Sequence, residues 1–134
     1  MRIIFDTDVI LSALITQGLS TRVLDICIDK HSLFISQFII DEVVDKLKNK
    51  FKTKSKDIKK VKSFLLSAFT LIKPKGEKPE DCRDIDDNNI LHLSESIHAD
   101  LIITGDKDLL ILKSFKQTAI VSPRIFMEKY YKVH

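Results

Sequence analysis

No apolar run in the sequence approaches the ~20 residues that a membrane-spanning helix needs, so membrane insertion is not expected. The first apolar stretch, Arg2 to Phe5, is cut short by Asp6 and Asp8, which argues against a secretory leader. There are only two cysteines, Cys27 and Cys82, too few for a disulfide framework or a thiolate zinc site. Cys27 falls in an apolar-periodic segment and reads as a small core residue. Three glycines and three prolines exclude a collagen-like or low-complexity chain. The four histidines, His31, His92, His98 and His134, show no ligand spacing among themselves or with cysteine. Together these absences predict a soluble cytoplasmic protein.

What is present fits one domain. The length of 134 residues and the 44% hydrophobic content allow a real core and exclude a disordered chain. The net charge of +3 conceals a strong polarity. Nine lysines and one acid, Asp57, lie between Lys46 and Lys62, so that stretch carries +8 and the remainder −5. Ten of the nineteen acids fall between Glu77 and Asp108, opposed only by Lys78, Arg83 and Lys107. A basic arm beside an acidic pocket suits a polyanionic substrate handled through a divalent cation.

The apolar pattern alternates short runs with helical periods. Arg2 to Phe5, Leu33 to Ile35, Thr70 to Lys73, Leu101 to Ile103 and Thr118 to Val121 read as strands. Helices are expected over Val9 to Ile15, Thr21 to Asp29, from about Ile39 towards Phe51, from Lys56 to Ala68, over Ile90 to Ile97 and Leu109 to Leu112, and from Pro123 through Tyr131. Phe34, Phe38, Phe51, Phe64 and Phe69 fit core or helix-packing positions. Strand–helix alternation predicts an α/β fold with a parallel sheet between helices.

In such a sheet the functional crevice lies outside the carboxyl ends of the strands. Asp6 follows the first strand and Asp106 the fourth. Glu42 sits in the early turns of the helix after the second strand, and Asp87 opens the helix leading to the fourth. All four carboxylates therefore belong on one rim. Each has a plain structural role as well, since Asp8 and Asp106 suit helix N-caps and Asp84, Asp86 and Asp87 suit a helix N-terminus. Their joint placement is what suggests a site. Clustered carboxylates need a counter-charge, and an all-oxygen set suits Mg²⁺ or Mn²⁺ better than zinc. Such an ion supports phosphodiester hydrolysis. The lysine run, with Lys52, Lys54 and Lys56 at its centre, is then either a substrate arm or a solvated helix face.

The motifs resemble those of the PIN-domain family. Ile3-Ile4-Phe5-Asp6-Thr7-Asp8-Val9-Ile10-Leu11-Ser12-Ala13 is similar to the family's opening strand and Asp-Thr-Asn turn, with Asp8 where Asn is usual. Ser36 with Glu42, Cys82 to Asn88, and Ile102 to Leu110 resemble the second, third and fourth motifs. The last of these, with Ser122 to Phe126, is closest to the toxin (VapC-like) branch. The resemblance implies a three-layer α/β/α sandwich with strand order 3-2-1-4-5 over residues 1–134. It also implies Mg²⁺- or Mn²⁺-dependent ribonuclease activity, a cognate antitoxin, and often a homodimer, for which Tyr130 and Tyr131 are candidate contacts. Carried over by position, Asp6, Glu42, Asp87 and Asp106 form the acidic quartet with Thr104 beside it. Counting back from Thr104 reaches Asn88, whereas the branch commonly reads Asp-Asn there. The third acid is therefore assigned to Asp87, with Asp84 the alternative, and Asp108 is a candidate for the metal's outer shell.

Two other readings are distinguishable. Phe5-Asp6-Thr7-Asp8 and Thr104-Gly105-Asp106 also resemble the motifs of haloacid-dehalogenase-like phosphatases, but Ile10 stands where Thr or Val is expected and no motif lysine is placed. A non-catalytic module binding RNA or protein would use the acids only as caps and would hold no specific divalent ion.

Overall fold

The protein's structure, a computed structural model, describes residues 1–131, so His134 lies outside the described residues. The elements follow in the order β1 (Arg2–Phe5), α1 (Thr7–Ile15), α2 (Leu19–Lys30), β2 (Ser32–Ile35), α3 (Gln37–Asn49), α4 (Ser55–Ala68) and β3 (Thr70–Leu71). They continue with α5 (Ile85–Ile97), β4 (Leu101–Ile103), α6 (Lys107–Leu110), β5 (Ser114–Phe115), β6 (Thr118–Val121) and α7 (Pro123–Lys129).

The strands form one sheet in the order β3-β2-β1-β4-β6-β5. The five expected strands take the implied parallel order, with β1 pairing β2 and β4 on either side. The strand order is corrected by a sixth strand, β5, which pairs antiparallel to β6 at the edge. Its return is a two-residue turn at Lys116-Gln117 in which Lys116 has φ of 54°. Such a turn usually announces itself by Asn or Gly, and here it does not.

Several helices begin earlier than the apolar pattern suggests because polar residues start them. Asp6 accepts a hydrogen bond from the Thr7 amide and opens α1 two residues ahead of Val9. Asp106 accepts from the Asp108 amide and opens α6 at Lys107 rather than Leu109. Ser36, Asp84 and Ser122 cap α3, α5 and α7 in the same way. α7 ends at Lys129, short of Tyr131, and Tyr130 stacks on Phe126 with ring centroids 6.2 Å apart.

Buried side chains from β1, β2, β4 and β6 and from the inner faces of the helices form one continuous hydrophobic cluster. Ile3, Ile4 and Phe5 are at its centre, and Phe5 meets Phe69 edge to face at 6.2 Å. Cys27 is fully buried there, as expected of a small apolar residue. Phe51 and Phe64 are exposed instead of buried. α3 ends at Asn49 and the chain turns away through Lys52 at φ 53°, which leaves Phe51 outside; on α4 it is Leu65, next to Phe64, that faces the core. Among the described residues no single helix is long and apolar enough to cross a membrane.

Candidate active site

The carboxyl ends of β1 and β4 lie side by side, with Phe5 in register with Ile103. The chain beyond each strand therefore delivers Asp6 and Asp106 to the same point on the sheet rim. α3 and α5 bring Glu42 and Asp87 to the same place. A cleft of about 110 Å³ is lined by Asp6, Thr7, Asp8, Glu42, Lys46, Asp84, Asp86, Asp87 and Asp106. All four acids of the expected quartet face this one space, although they come from four separate elements.

The floor is a fixed hydrogen-bond relay. Thr104, fully buried, donates from its hydroxyl to Asp6 Oδ2 at 2.7 Å and accepts from the Asp106 amide at 2.9 Å. Asp6 Oδ1 takes the Thr7 amide at 2.7 Å. The Thr7 hydroxyl donates to Glu42 Oε1 at 2.7 Å, tying α1 to α3. Asp106 Oδ1 takes the Asp108 amide at 2.7 Å. One atom is left out. Asp87 Oδ2 is buried and, among the described residues, has no hydrogen-bond partner. Buried polar atoms are nearly always partnered, so an orphan in an acidic cleft marks a place for a ligand.

The electrostatics agree. Burial, followed by the carboxylates of Asp106, Asp84 and Asp6, pushes Asp87 from the ordinary 3.8 up to about 7. Burial also raises Asp6, against the pull of the Thr104 and Thr7 hydrogen bonds. Glu42 is raised by burial and by the neighbouring Asp86 charge, with the Thr7 hydrogen bond and Lys46 opposing. One oxygen each from Asp87, Asp106 and Asp108 fall within 4.8 Å of one another, a set that can hold a metal ion. The donors are all oxygens, as Mg²⁺ or Mn²⁺ prefers. Asp108 thus stands as close to Asp87 and Asp106 as an inner ligand does, and it also meets the exposed Arg83 at 3.3 Å.

Two sets of the residues named from the sequence lie outside the cleft. Asn88 turns away from the cleft, and its amide is used on the backbone of Cys82, with both contacts at 2.8 Å. Its role there is to fix the loop ahead of α5. With both ends of its amide spent on Cys82, Asn88 has nothing left to offer the acids. Lys52, Lys54 and Lys56 are exposed around the start of α4 and do not line the cleft. The lysine that does is Lys46, which pairs with Asp8 at 2.9 Å and is raised chiefly by that hydrogen bond. Its spacing from Glu42, four residues along α3, was the available signal. Asp86 and Thr7 also line the cleft without having been singled out as site residues.

Residues 2–108 match the family model for the PIN domain. The chain belongs to the PIN-domain family. Members of this family are generally nucleases. The uncharacterized protein MJ1680 of Methanocaldococcus jannaschii is 26% identical, and the match covers 98% of this chain and 93% of that protein. The crystal structure of VapBC2 from Rickettsia felis, bound to a DNA fragment from their promoter, superposes with a TM-score of 0.64. It is 12% identical and the match covers 91% of this chain and 98% of that chain, so it establishes a shared fold. PIN-domain membership accounts for why the acids follow β1 and β4 in this chain, as the opening and fourth motifs implied.

Proposed function

We propose that this PIN domain is an Mg²⁺- or Mn²⁺-dependent endoribonuclease and the toxin of a toxin–antitoxin pair. The observation that carries the reading is the orphaned, buried Asp87 Oδ2 in a cleft whose acids outnumber its single lysine. Asp6, Asp87 and Asp106 would hold the ion, with Glu42 beside them, and Asp108 completes the set from the α6 side. When bound, the ion supplies polarisation of a phosphoryl oxygen and a water of lowered pKa.

The chain's own groups do the rest. Thr104 and the Thr7 amide occupy one oxygen each of Asp6, which fixes the carboxylate's plane and suits a held ligand better than the free nucleophile of a phosphatase. Glu42, raised by its surroundings, accepts a proton from the attacking water, and the Thr7 hydroxyl aims it. Attack of that water on phosphorus with loss of the 3′-oxygen leaves a 5′-phosphate and a 3′-hydroxyl. Lys46 offers a cation to the substrate backbone at the cleft's mouth.

The biological setting is part of the same proposal. The toxin-branch motifs and the shared fold with a toxin–antitoxin complex support a cognate antitoxin as partner. A homodimer acting in the cytoplasm, with residues 1–134 as one functional unit, completes it. Replacing Asp6 by Asn should abolish Mn²⁺-dependent RNA cleavage while the melting temperature holds within a few degrees. Cleavage by Asp6→Asn at the wild-type rate, or cleavage undiminished by chelator, refutes the assignment. Calorimetry that detects no Mg²⁺ or Mn²⁺ site would favour a non-catalytic binding module.

A further inference from the structure

Beside the acidic cleft lies a second cavity of about 440 Å³ that no step of the hydrolysis uses. Two helices border both spaces. On α3, Phe38 lines the second cavity and Glu42, four residues on, lines the cleft. On α5, Asn89 lines the cavity and Asp86, three residues back, lines the cleft. Positions three and four apart share a helix face and are ~5–6 Å apart. The cavity therefore opens on the same rim as the acids, about one nucleotide's length away along an extended strand.

Its chemistry is that of a base site. The walls are apolar, from Phe38, Leu71, Ile72 and Pro74. The Asn89 amide is half-buried and, among the described residues, makes no hydrogen bond, unlike the neighbouring Asn88 amide that is spent on Cys82. A free amide offers a donor and an acceptor together, which is what the edge of an unpaired base needs, while an aromatic ring supplies the stacking face. The loop closing the cavity is held in place by His92. Its Nε2 lies 3.1 Å from the carbonyl oxygens of both Lys75 and Gly76, and since carbonyls only accept, Nε2 carries the proton. Lys73 lines the cavity too and is exposed, placed for a phosphate. The volume lies in the range of sites that enclose small ligands.

We propose that this cavity holds the base of the nucleotide next to the scissile phosphate, stacked on Phe38 and read by Asn89. The inference rests on the nuclease reading, because it places a single-stranded RNA across the rim. The test is equilibrium binding of four homopolymeric RNA octamers and of an abasic octamer, with Ca²⁺ in place of Mg²⁺ or Mn²⁺ to neutralise the cleft and the RNA checked to be intact afterwards, to the wild type and to Asn89→Ala and Phe38→Leu. Homopolymers remove any uncertainty of register. The best base-bearing octamer should bind the wild type roughly tenfold tighter than the abasic one or better. Phe38→Leu should shrink that ratio for every base, and Asn89→Ala should narrow the differences between bases, with circular dichroism checking that each variant is folded. A ratio near one in the wild type, or one that neither folded variant changes, overturns the proposal; that is also the result if the cavity takes a side chain of a protein partner. Cleavage of the same octamers in Mn²⁺ is scored separately. Cutting without a base-dependent ratio sinks the base site alone, and a base-dependent ratio without cutting sinks the nuclease reading alone.

Discussion

At the scale of single residues, Asp87 links the site's chemistry to the protein's stability. Its carboxyl titrates near 7 in the fold and near 3.8 when unperturbed. The unfolded chain therefore releases this proton first as pH rises, and the group's contribution to stability is full below about pH 4 and lost as pH passes 7. Asp6 and Glu42 are shifted in the same direction and add to the effect. Without divalent metal the melting temperature should fall from pH 5 to pH 8. Asp87→Asn should flatten that fall and stabilise the metal-free protein at pH 8 by on the order of 1 kcal/mol after solvent screening. The same variant should lose most of the Mn²⁺-induced rise in melting temperature. Scanning fluorimetry across pH, with and without Mn²⁺, checks both halves; a wild-type curve that rises towards pH 8 while that of Asp87→Asn stays flat contradicts them. Thr104 works in the opposite sense, since it satisfies Asp6. Thr104→Val removes a buried donor to Asp6 and the acceptor for the Asp106 amide. It should cost about 1–3 kcal/mol in urea denaturation, and Thr104→Ser should restore most of it.

At the scale of elements, the same side chains start helices and line the site, so a ligand role can be separated from a cap by choice of substitution. Asp84 accepts from the Asp86 amide at 2.9 Å to start α5, and it also lines the cleft. Asp84→Asn keeps an N-cap of equal quality and should leave stability unchanged, whereas Asp84→Ala should lose about 1 kcal/mol. If Asp84 only caps, the Asn variant cuts RNA at close to the wild-type rate; if it is the third ligand in place of Asp87, cutting is lost in both. Comparison of urea midpoints with cleavage rates decides. This double use explains what the sequence made legible. Apolar runs ended by an acid, at Phe5-Asp6 and Ile103-Thr104-Gly105-Asp106, mark strand ends and sheet rim together, so the quartet's convergence followed from strand order. β5 was not legible, because its turn is made by Lys116 at positive φ and Gln117, which carry no turn signature. Lys46 was hidden for a related reason. In a run of nine lysines its charge looks like the others, and only the helical phase relative to Glu42 distinguishes it.

At the scale of the whole molecule, the chain separates its charges between an acidic cleft and a lysine-rich arm. The cleft is acidic and repels a phosphate backbone unless an ion is bound, whereas α4 and the connector before it are rich in exposed lysine. On the proposed nuclease reading a polyanion would be drawn first to the lysine arm and admitted to the acids only through the ion, which would make binding and cleavage depend on different variables. Lys52, Lys54 and Lys56 are exposed and form no ion pair with the described residues, so their charges are available to a polyanion. Each single-strand phosphate neutralised adds ~0.7 to the slope of log affinity against log salt. Replacing all three by Gln should weaken RNA binding at low salt and reduce that slope by about 2. The cleavage rate at saturating RNA should stay near that of the wild type, since none of the three lines the cleft. Binding measured by fluorescence anisotropy between 50 and 300 mM salt, paired with single-turnover cleavage in Mn²⁺, separates the arm from the site: an unchanged slope means that the lysines face solvent only, and a collapse of the single-turnover rate means that the arm also positions the scissile bond.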